Sequence, residues 1–187
     1  DDIWAVKSAG IDPSNGKELF YAKDGSYTYD FSYDDEVICG NTRPDVEGVI
    51  GSSLNWKGFS VSLNFRYQMG ADVFNEALYS KVENISRSDL NKNQDKRALY
   101  ERWQEEGDIV RFKNIASAET TPMSSRFVQE ENVLTLESVY LGYEFYDGWI
   151  KKLGLSSLKF QVSMRDVFRA STIRSERGIS YPFARSM

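Results

Sequence analysis

Hydrophobic and polar residues alternate without exception from Phe59 to Met69. The odd-numbered positions are Phe59, Val61, Leu63, Phe65, Tyr67 and Met69, and the even-numbered ones are Ser60, Ser62, Asn64, Arg66 and Gln68. Because a β-strand turns successive side chains to opposite faces, the run predicts a strand with one apolar and one polar face. Its length is that of a tilted strand crossing a bilayer, which takes about 9–11 residues.

A second strand is predicted just before this one, from Val46 to Trp56, although Gly48 and Gly51 weaken its propensity. Only Lys57 and Gly58 separate the two strands, which is the length of a tight hairpin turn. A two-residue turn fixes which residues face each other. The predicted pairs are Trp56 with Phe59, Leu54 with Val61, Ile50 with Phe65, and Gly48 with Tyr67.

Two further alternating runs occur near the end of the chain. One begins near Val133 and ends at Phe145, and the other starts at Leu158 after a turn at Asp147-Gly148. The last strand is predicted to point Leu158, Phe160, Val162 and Met164 outward and Lys159, Gln161, Ser163 and Arg165 inward. Four strands cannot close a barrel, and lipid does not tolerate unpaired strand edges, so we expect the chain to be a fragment of a larger barrel.

The remaining segments lack long alternation. Residues 1–45 contain many turn formers, with a short aromatic-faced strand predicted where Tyr27, Tyr29, Phe31 and Tyr33 alternate with polar residues. Residues 71–132 are far longer than an ordinary connection. Within them, 95–106 predicts a helix, with Leu99 and Trp103 one turn apart and Gly107 as its end.

These elements predict an all-β fold: antiparallel strands of a large transmembrane β-barrel, present as a fragment, with long extracellular loops, one containing a short helix. The predicted division is a loop and hairpin region outside the cell (1–45), a transmembrane hairpin (46–70), a long extracellular loop (71–132), two transmembrane strands joined by a periplasmic turn (133–168), and an extracellular loop before a missing last strand (169–187).

Composition narrows the chemistry. Histidine is absent, Cys39 is the single cysteine, and the net charge is −5. The chain therefore lacks the commonest general base, a disulfide framework and a basic stripe for nucleic acid. We predict no catalytic residue, no cofactor, no metal site and no nucleic-acid partner, and the sequence leaves the ligand-binding residues unknown.

Several side chains have a functional and a structural interpretation. Aromatic residues near strand ends could form an interfacial girdle or simply pack; they are Trp56, Tyr67, Tyr143 and Trp149. Inward polar residues could bind ligand, but structural pairing is the preferred interpretation; they are Arg66, Gln68, Lys159, Gln161 and Arg165. Tyr100 and Trp103 could stack on a sugar, yet helical spacing favours docking of a loop helix.

The acidic clusters are interpreted as solvated loop faces rather than as glycosidase or calcium sites. They are Asp34-Asp35-Glu36, Glu105-Glu106 with Asp108, and Glu130-Glu131. Asn84-Ile85-Ser86 fits a glycosylation sequon, which a bacterial source would make void. Cys39 is interpreted as a free thiol.

A series of short motifs, in order along nearly the whole chain, resembles SusC/RagA-type TonB-dependent outer-membrane transporters. The motifs are Ser8-Ala-Gly-Ile-Asp-Pro13, Gly16-Lys-Glu-Leu-Phe20, Asp24-Gly25, Gly40-Asn-Thr-Arg-Pro44, Glu47-Gly48, Lys57-Gly-Phe59, Val82-Glu-Asn84, Asp95-Lys-Arg97, Leu99-Tyr100, Arg102-Trp103, Gly107-Asp108, Ser125-Arg-Phe-Val128, Glu131-Asn132, Ser175-Glu-Arg-Gly178 and Tyr181-Pro-Phe-Ala-Arg185. The resemblance is to the C-terminal part of these transporters. The sequence departs from the family's pattern in two ways: the N-terminal plug with its TonB-box segment is not in it, and neither is the last strand with its terminal aromatic residue.

The resemblance implies a bacterial outer-membrane location, a multi-pass barrel and loops at the cell surface. It also implies the partners: a SusD-like surface lipoprotein, the rest of the barrel and its plug, the TonB complex, lipid, and an oligosaccharide or peptide substrate. It implies transport without chemistry, so the chain is not expected to be an enzyme. The alternative is a soluble β-rich carbohydrate-binding or adhesin module, in which a second sheet would cover the apolar faces.

Overall fold

The computed structural model describes residues 1–117, 119–146 and 148–173. Asp147 of the predicted turn, the two motifs at 175–178 and 181–185, and most of the predicted last loop lie outside the described residues. The chain divides into two compact units. The loop unit comprises residues 1–43 and 71–130 with Ile173, and the sheet unit comprises residues 44–70 and 131–172.

Strands dominate the described part of the chain. They are β1 Asp2–Val6, β2 Ser8–Ile11, β3 Glu18–Tyr21, β4 Tyr27–Thr28, β5 Glu36–Asn41, β6 Val46–Trp56, β7 Phe59–Phe74, β8 Val128–Phe145 and β9 Leu158–Ser171. The helices are short: α1 Glu76–Leu78, which continues as a π turn over Tyr79–Glu83, α2 Arg97–Tyr100 and α3 Trp149–Lys152. Short 3-10 turns occupy Tyr33–Asp35 and Ser125–Phe127.

The long strands form one four-stranded sheet in the order β6-β7-β8-β9. The register of β6 against β7 confirms the predicted hairpin, including Trp56 opposite Phe59 and Leu54 opposite Val61. Lys57 and Gly58 both have positive φ angles, 45° and 89°, which is the conformation that a type I′ turn requires. The sequence pattern and the turn chemistry therefore specify the same pairing.

Strand β9 pairs with β8 in a register that places apolar residues together on one face. Phe145 faces Leu158, Tyr143 faces Phe160, Leu141 faces Val162, and Val139 faces Met164. The apolar face is exposed to a large extent, with Phe160, Val162 and Met164 at 59%, 61% and 55%. No second layer in the described chain covers these side chains, which is the situation expected of a lipid-facing row.

Two of the long strands extend beyond their predicted ends. β7 continues to Phe74 instead of ending at 70, and β8 begins at Val128 instead of near Val133. Gly70 interrupts the alternation and has a φ of 78°, so the sequence pattern stops there. The backbone N–H of Gly70 donates to the side-chain oxygen of Asn132 at 2.9 Å, which helps to carry the strand through the glycine.

The predicted helix over 95–106 is wrong in length, since α2 ends at Tyr100. The carbonyl of Glu101 accepts hydrogen bonds from the N–H groups of Arg111 and Phe112, and Trp103 donates its N–H to Phe112. These long-range bonds replace the helical ones, so tertiary pairing overrides local propensity. The predicted aromatic strand over 27–33 is likewise limited to Tyr27–Thr28.

The loop unit has its own apolar core. Strand β1 pairs with β5, and β2, β3 and β4 form a small sheet. The buried cluster consists of Leu78, Val82, Ala98, Phe112 and Phe127, and Phe74, Tyr79 and Ile85 pack against it. Among the described residues, no helix is long and apolar enough to cross a membrane.

Candidate functional site: a cleft beside a buried charge cluster

Arg126 is the centre of a charge cluster inside the loop unit. Its guanidinium donates to both carboxylate oxygens of Glu18, at 3.1 and 2.8 Å, and to one oxygen of Glu83 at 2.8 Å. It also donates to the backbone carbonyl of Arg111. Planar guanidinium groups suit such bidentate contacts, and the short turn Ser125–Phe127 places Arg126 where three segments meet.

Hydroxyl groups add one hydrogen bond to each of the two buried carboxylates. Ser124 donates to Glu18 at 2.6 Å, and Thr121 donates to Glu83 at 2.9 Å. Glu83 is 2% exposed, and its second carboxylate oxygen has no hydrogen-bond partner in the described chain. The carboxylates are thus satisfied on the side that faces Arg126.

Two further cations lie in the same cluster without touching a carboxylate group. Buried Arg102 donates to the backbone carbonyls of Val82, Glu83 and Lys113. The amine of Lys113 donates to the carbonyl of Glu119 and lies 3.4 Å from the side-chain oxygen of Asn84. Backbone dipoles therefore solvate these two charges inside the protein.

Burial shapes the electrostatics of the three cations. Burial lowers the pKa of Arg102, and burial also lowers the pKa of Lys113 although the charge of Glu83 opposes it. For Arg126, burial acts to lower the pKa, but the hydrogen bonds and charges of Glu18 and Glu83 outweigh it and raise the pKa. Only Arg126 is thus fully compensated by carboxylates.

An open cleft of about 710 Å³ lies next to this cluster, and Glu18 and Lys113 are part of its lining. Aromatic side chains (Phe20, Tyr29 and Phe31) and polar groups (Asn114, Ser117, Thr120 and Thr121 among them) form other parts of the wall. Ligand clefts in proteins have volumes of roughly 300–1,000 Å³, with apolar walls and a few placed polar groups. The cleft has the volume of a small-ligand site, and its lining is more polar than is usual for one.

One aromatic wall residue is fixed by hydrogen bonds. The hydroxyl of Tyr29 donates to the carboxylate of Asp12 and accepts from the amide of Asn15 at 3.1 Å. The hydrogen bond with Asp12 raises the pKa of Tyr29, and the same bond lowers the pKa of Asp12. The ring of Phe31 packs edge-on against Phe20, with centroids 5.6 Å apart. The wall is therefore preorganised rather than adaptable.

Two of the four predicted girdle residues, Trp56 and Tyr143, lie in one aromatic row, and the other two lie outside it. Trp56 pairs with Phe59, the ring of Phe59 lies 4.4 Å from that of Tyr143, and Tyr143 pairs with Phe160. These four rings form one row across all four strands. Tyr67 lies elsewhere, opposite Gly48, and Trp149 belongs to α3, where it packs 5.9 Å from Phe145.

Four of the five predicted inward polar residues (Arg66, Gln68, Lys159 and Gln161) have side-chain partners within the sheet. Arg66 forms an ion pair with Glu137, Gln68 contacts Glu47 at 3.4 Å, and Gln161 accepts from Tyr140 at 3.2 Å. Lys159 lies over the ring of Tyr140, and Arg165 is opposite Ser138. For Arg66, Gln68, Lys159 and Gln161, contacts within the sheet agree with the structural interpretation.

The sugar-stacking candidates and the acidic clusters are spread over the fold. Trp103 donates to the carbonyl of Pro13, and its ring lies against Gly16, whereas Tyr100 is exposed. Asp108 caps the N–H groups of Gln104 and Glu105. Glu131 corrects the expectation of a solvated loop, because it is 3% exposed and bonded to Arg169 and Ser171. No group of three metal-ligating acids or cysteines forms among the described residues.

Sequence reasoning did not single out the charge cluster, since its members are separated by up to 108 positions. A signal was nevertheless present in the motifs. Glu18, Glu83, Arg102 and Arg126 each belong to a different motif of the SusC/RagA resemblance. In the structure these four scattered motifs meet in one buried cluster of charges.

Comparison with known proteins gives the family context. The chain is 25% identical over 171 residues to "TonB-dependent receptor P39" of Formosa agariphila, covering 89% of this chain. It is 25% identical over 159 residues to "TonB-dependent receptor P3" of the same organism, covering 85% of this chain. The chain spans 16% and 15% of the length of these relatives. No family model matches.

Solved structures share the fold. A structure of the RagAB peptide importer in an open-open state matches with a TM-score of 0.74 at 21% identity, over 90% of this chain and 19% of that one. A structure of the RagAB peptide transporter matches with a TM-score of 0.74 at 21% identity, over 92% of this chain and 19% of that one. The chain resembles a C-terminal piece of a SusC/RagA-type transporter. The family resemblance and the all-β barrel-segment fold predicted from the sequence are confirmed.

Proposed function

We propose that this chain forms part of the barrel of a TonB-dependent outer-membrane transporter that imports oligosaccharides or peptides together with a SusD-like surface lipoprotein. The observation that carries the proposal is the four-stranded sheet with an exposed apolar row, in a fold shared with the RagAB importer. The named relatives are receptors and transporters rather than enzymes. Transport of this kind needs no catalytic residue, and the chain acts through binding and conformation.

In this proposal the sheet unit crosses the membrane. Strands β6 to β9 would span the bilayer, with the turns at 57–58 and 146–157 on the periplasmic side. Residues 1–45, 71–132 and 169–187 would lie outside the cell, where the lipoprotein and substrate arrive. The aromatic row of Trp56, Phe59, Tyr143 and Phe160 supports this orientation, because it lies at the level of the short turn, where an interfacial girdle is expected.

A pair of charge substitutions in the full-length protein tests the membrane assignment. Leu63→Arg places a charge on the apolar face, which costs about 2–4 kcal/mol near the bilayer midplane, whereas neighbouring Ser62→Arg places it on the polar face. We expect L63R to reduce the amount of folded barrel in the outer membrane and S62R to leave it unchanged. Equal amounts of the two variants would contradict a lipid-facing row and revive the soluble-module alternative.

The sidedness and the transport role need their own measurements. With Cys39 replaced by serine, a membrane-impermeant maleimide should label Asn93→Cys on intact cells and Lys152→Cys only after the outer membrane is opened. Uptake of oligosaccharide and peptide pools should depend on the protein and on a functional TonB. Uptake that persists without either would overturn the transporter assignment.

A further inference from the structure

We infer that the cleft of the loop unit binds a carboxylate group of its ligand, with the amine of Lys113 as the counter-ion. The inference rests on the proposed function in so far as the cleft must meet imported molecules. It goes beyond that function by naming a site and the charge of the group that the site takes.

The first step is the charge balance of the buried cluster. The cluster contains three cations (Arg102, Lys113 and Arg126) and two carboxylates (Glu18 and Glu83). Arg126 uses both oxygens of Glu18 and one of Glu83. These five buried or half-buried groups carry one more positive than negative charge, in a place where water screens charges poorly; the carboxylate of Glu119, which also acts on Lys113, is exposed and is not counted among them.

The second step is to locate the excess positive charge within the cluster. Arg102 is 4% exposed and donates to backbone carbonyls inside the unit. Lys113 is half-buried, lines the cleft and touches no carboxylate group among the described residues. An incoming anion can therefore reach Lys113 and cannot reach Arg102. A carboxylate at Lys113 would make a charge-assisted hydrogen bond in a partly desolvated place.

The third step concerns the other charges of the cleft. Lys17, Asp30 and Glu119 also line it, but they are exposed and of both signs, so solvent and salt screen them. Glu119 acts on the pKa of Lys113 less than buried Glu83 does. Glu18 is held by Arg126 and Ser124, so it is not a free competitor for the amine. The half-buried amine of Lys113 therefore gives the cleft its preference for a carboxylate group.

The fourth step is the remainder of the ligand. Tyr29, held by Asp12 and Asn15, and Phe31 provide flat apolar surface, while Ser117 and Thr120 provide hydroxyl groups. Such a lining accepts either a uronic-acid residue of an oligosaccharide or the C-terminal end of a peptide. The shared chemistry is the carboxylate, and the two sources are separated by experiment.

The test uses the full-length protein in detergent and calorimetric titration at low salt. The probes are an oligouronate, its neutral reduced counterpart, a short peptide with a free C-terminal carboxylate, and the same peptide with a C-terminal amide. We expect at least one carboxylate probe to bind about tenfold or more tightly than its neutral counterpart, as loss of a charge-assisted contact implies. Whichever pair shows the difference identifies the source.

Variants assign the effect to Lys113. Lys113→Met should remove the preference for the carboxylate probe, Lys113→Arg should keep part of it, and exposed Lys92→Met should bind as the wild type. Equal binding of each acid and its neutral counterpart overturns the inference, and so does a wild-type preference in K113M. If K113M does not fold, the wild-type comparison of the four probes decides alone. Import that proceeds with a neutral substrate and without effect of K113M would refute the inference and leave the proposed transport function intact.

Discussion

At the scale of single residues, Arg126 connects parts of the chain that are far apart in sequence. Its partner Glu18 lies in β3, and Glu83 lies in the π turn after α1. The third partner, Arg111, lies in the segment between α2 and the Ser125–Phe127 turn. Arg126 itself is 13% exposed at its side chain, and Glu83 is 0% exposed there. A buried carboxylate without its cation destabilises the fold strongly, and the guanidinium of Arg126 compensates two such carboxylates, Glu18 and Glu83.

Replacing Arg126 by methionine should open the loop unit locally. Breaking a buried pair by removing one partner costs about 3–5 kcal/mol, because the remaining carboxylates are left uncompensated. Arg126→Lys should be intermediate, since an ammonium group keeps the charge but cannot form the bidentate contact. The measurement is hydrogen exchange of the amides of 18–21 and 75–84 in the full-length protein.

The matched control is Arg87→Met, which removes an exposed arginine from the same unit. We expect R87M to exchange like the wild type. Unchanged exchange in R126M would show that the apolar core, and not the charge cluster, holds β3 against the rest of the unit.

At the scale of secondary-structure elements, the outcome of sequence reasoning depended on where the determining contacts lie. The β6–β7 hairpin could be predicted to the residue because strict alternation and a two-residue turn act within a short stretch. The helix over 95–106 could not, because the hydrogen bonds that end it come from Arg111 and Phe112. Where β7 continues past Gly70, the N–H of Gly70 bonds to Asn132, which is 62 positions away and which no local pattern reveals.

Gly58 in the hairpin turn should not tolerate a side chain. Its φ is 89°, and a Cβ there would lie 2.5 Å from the backbone carbonyl oxygen of Glu144 in the neighbouring strand. Gly154→Ala is the control, because its φ of 75° imposes similar strain while nothing lies within 4 Å of the added carbon. We expect G58A to lose about 1–3 kcal/mol more of folding free energy than G154A, the usual cost of overpacking.

The difference is measured from the thermal transition of the folded barrel band on gels run without boiling. Similar transitions for the two variants would mean that β8 moves away from the turn at little cost, and that the close approach at Gly58 is not structurally important.

At the scale of the whole chain, two kinds of stabilisation are present. The loop unit buries an apolar cluster and a charge cluster within protein. The sheet unit exposes its apolar row and leaves β6 and β9 at the edges of the sheet within the described residues. In the proposed barrel, lipid would cover this face and further strands would pair with the two edges. The exposed apolar row of the sheet unit could be predicted from the alternation of residues. The charge cluster of the loop unit could not, because its members belong to separate motifs and the sequence does not show that these motifs meet.

This difference predicts that core damage in the loop unit leaves barrel assembly intact. Phe127 is 0% exposed and packs against Tyr79 and Phe74, with ring centroids 5.2 and 5.9 Å away. Phe127→Ala should cost about 3–5 kcal/mol by leaving a cavity. We expect rapid proteolysis within 76–127 in full-length F127A, while the folded barrel still migrates as a compact band on unboiled gels.

Tyr100→Ala, which removes a ring that is 74% exposed in the same unit, should resist protease like the wild type. Loss of the compact band in F127A would mean that the strands do not hold without the loop core, and that lipid and neighbouring strands are insufficient to stabilise the sheet.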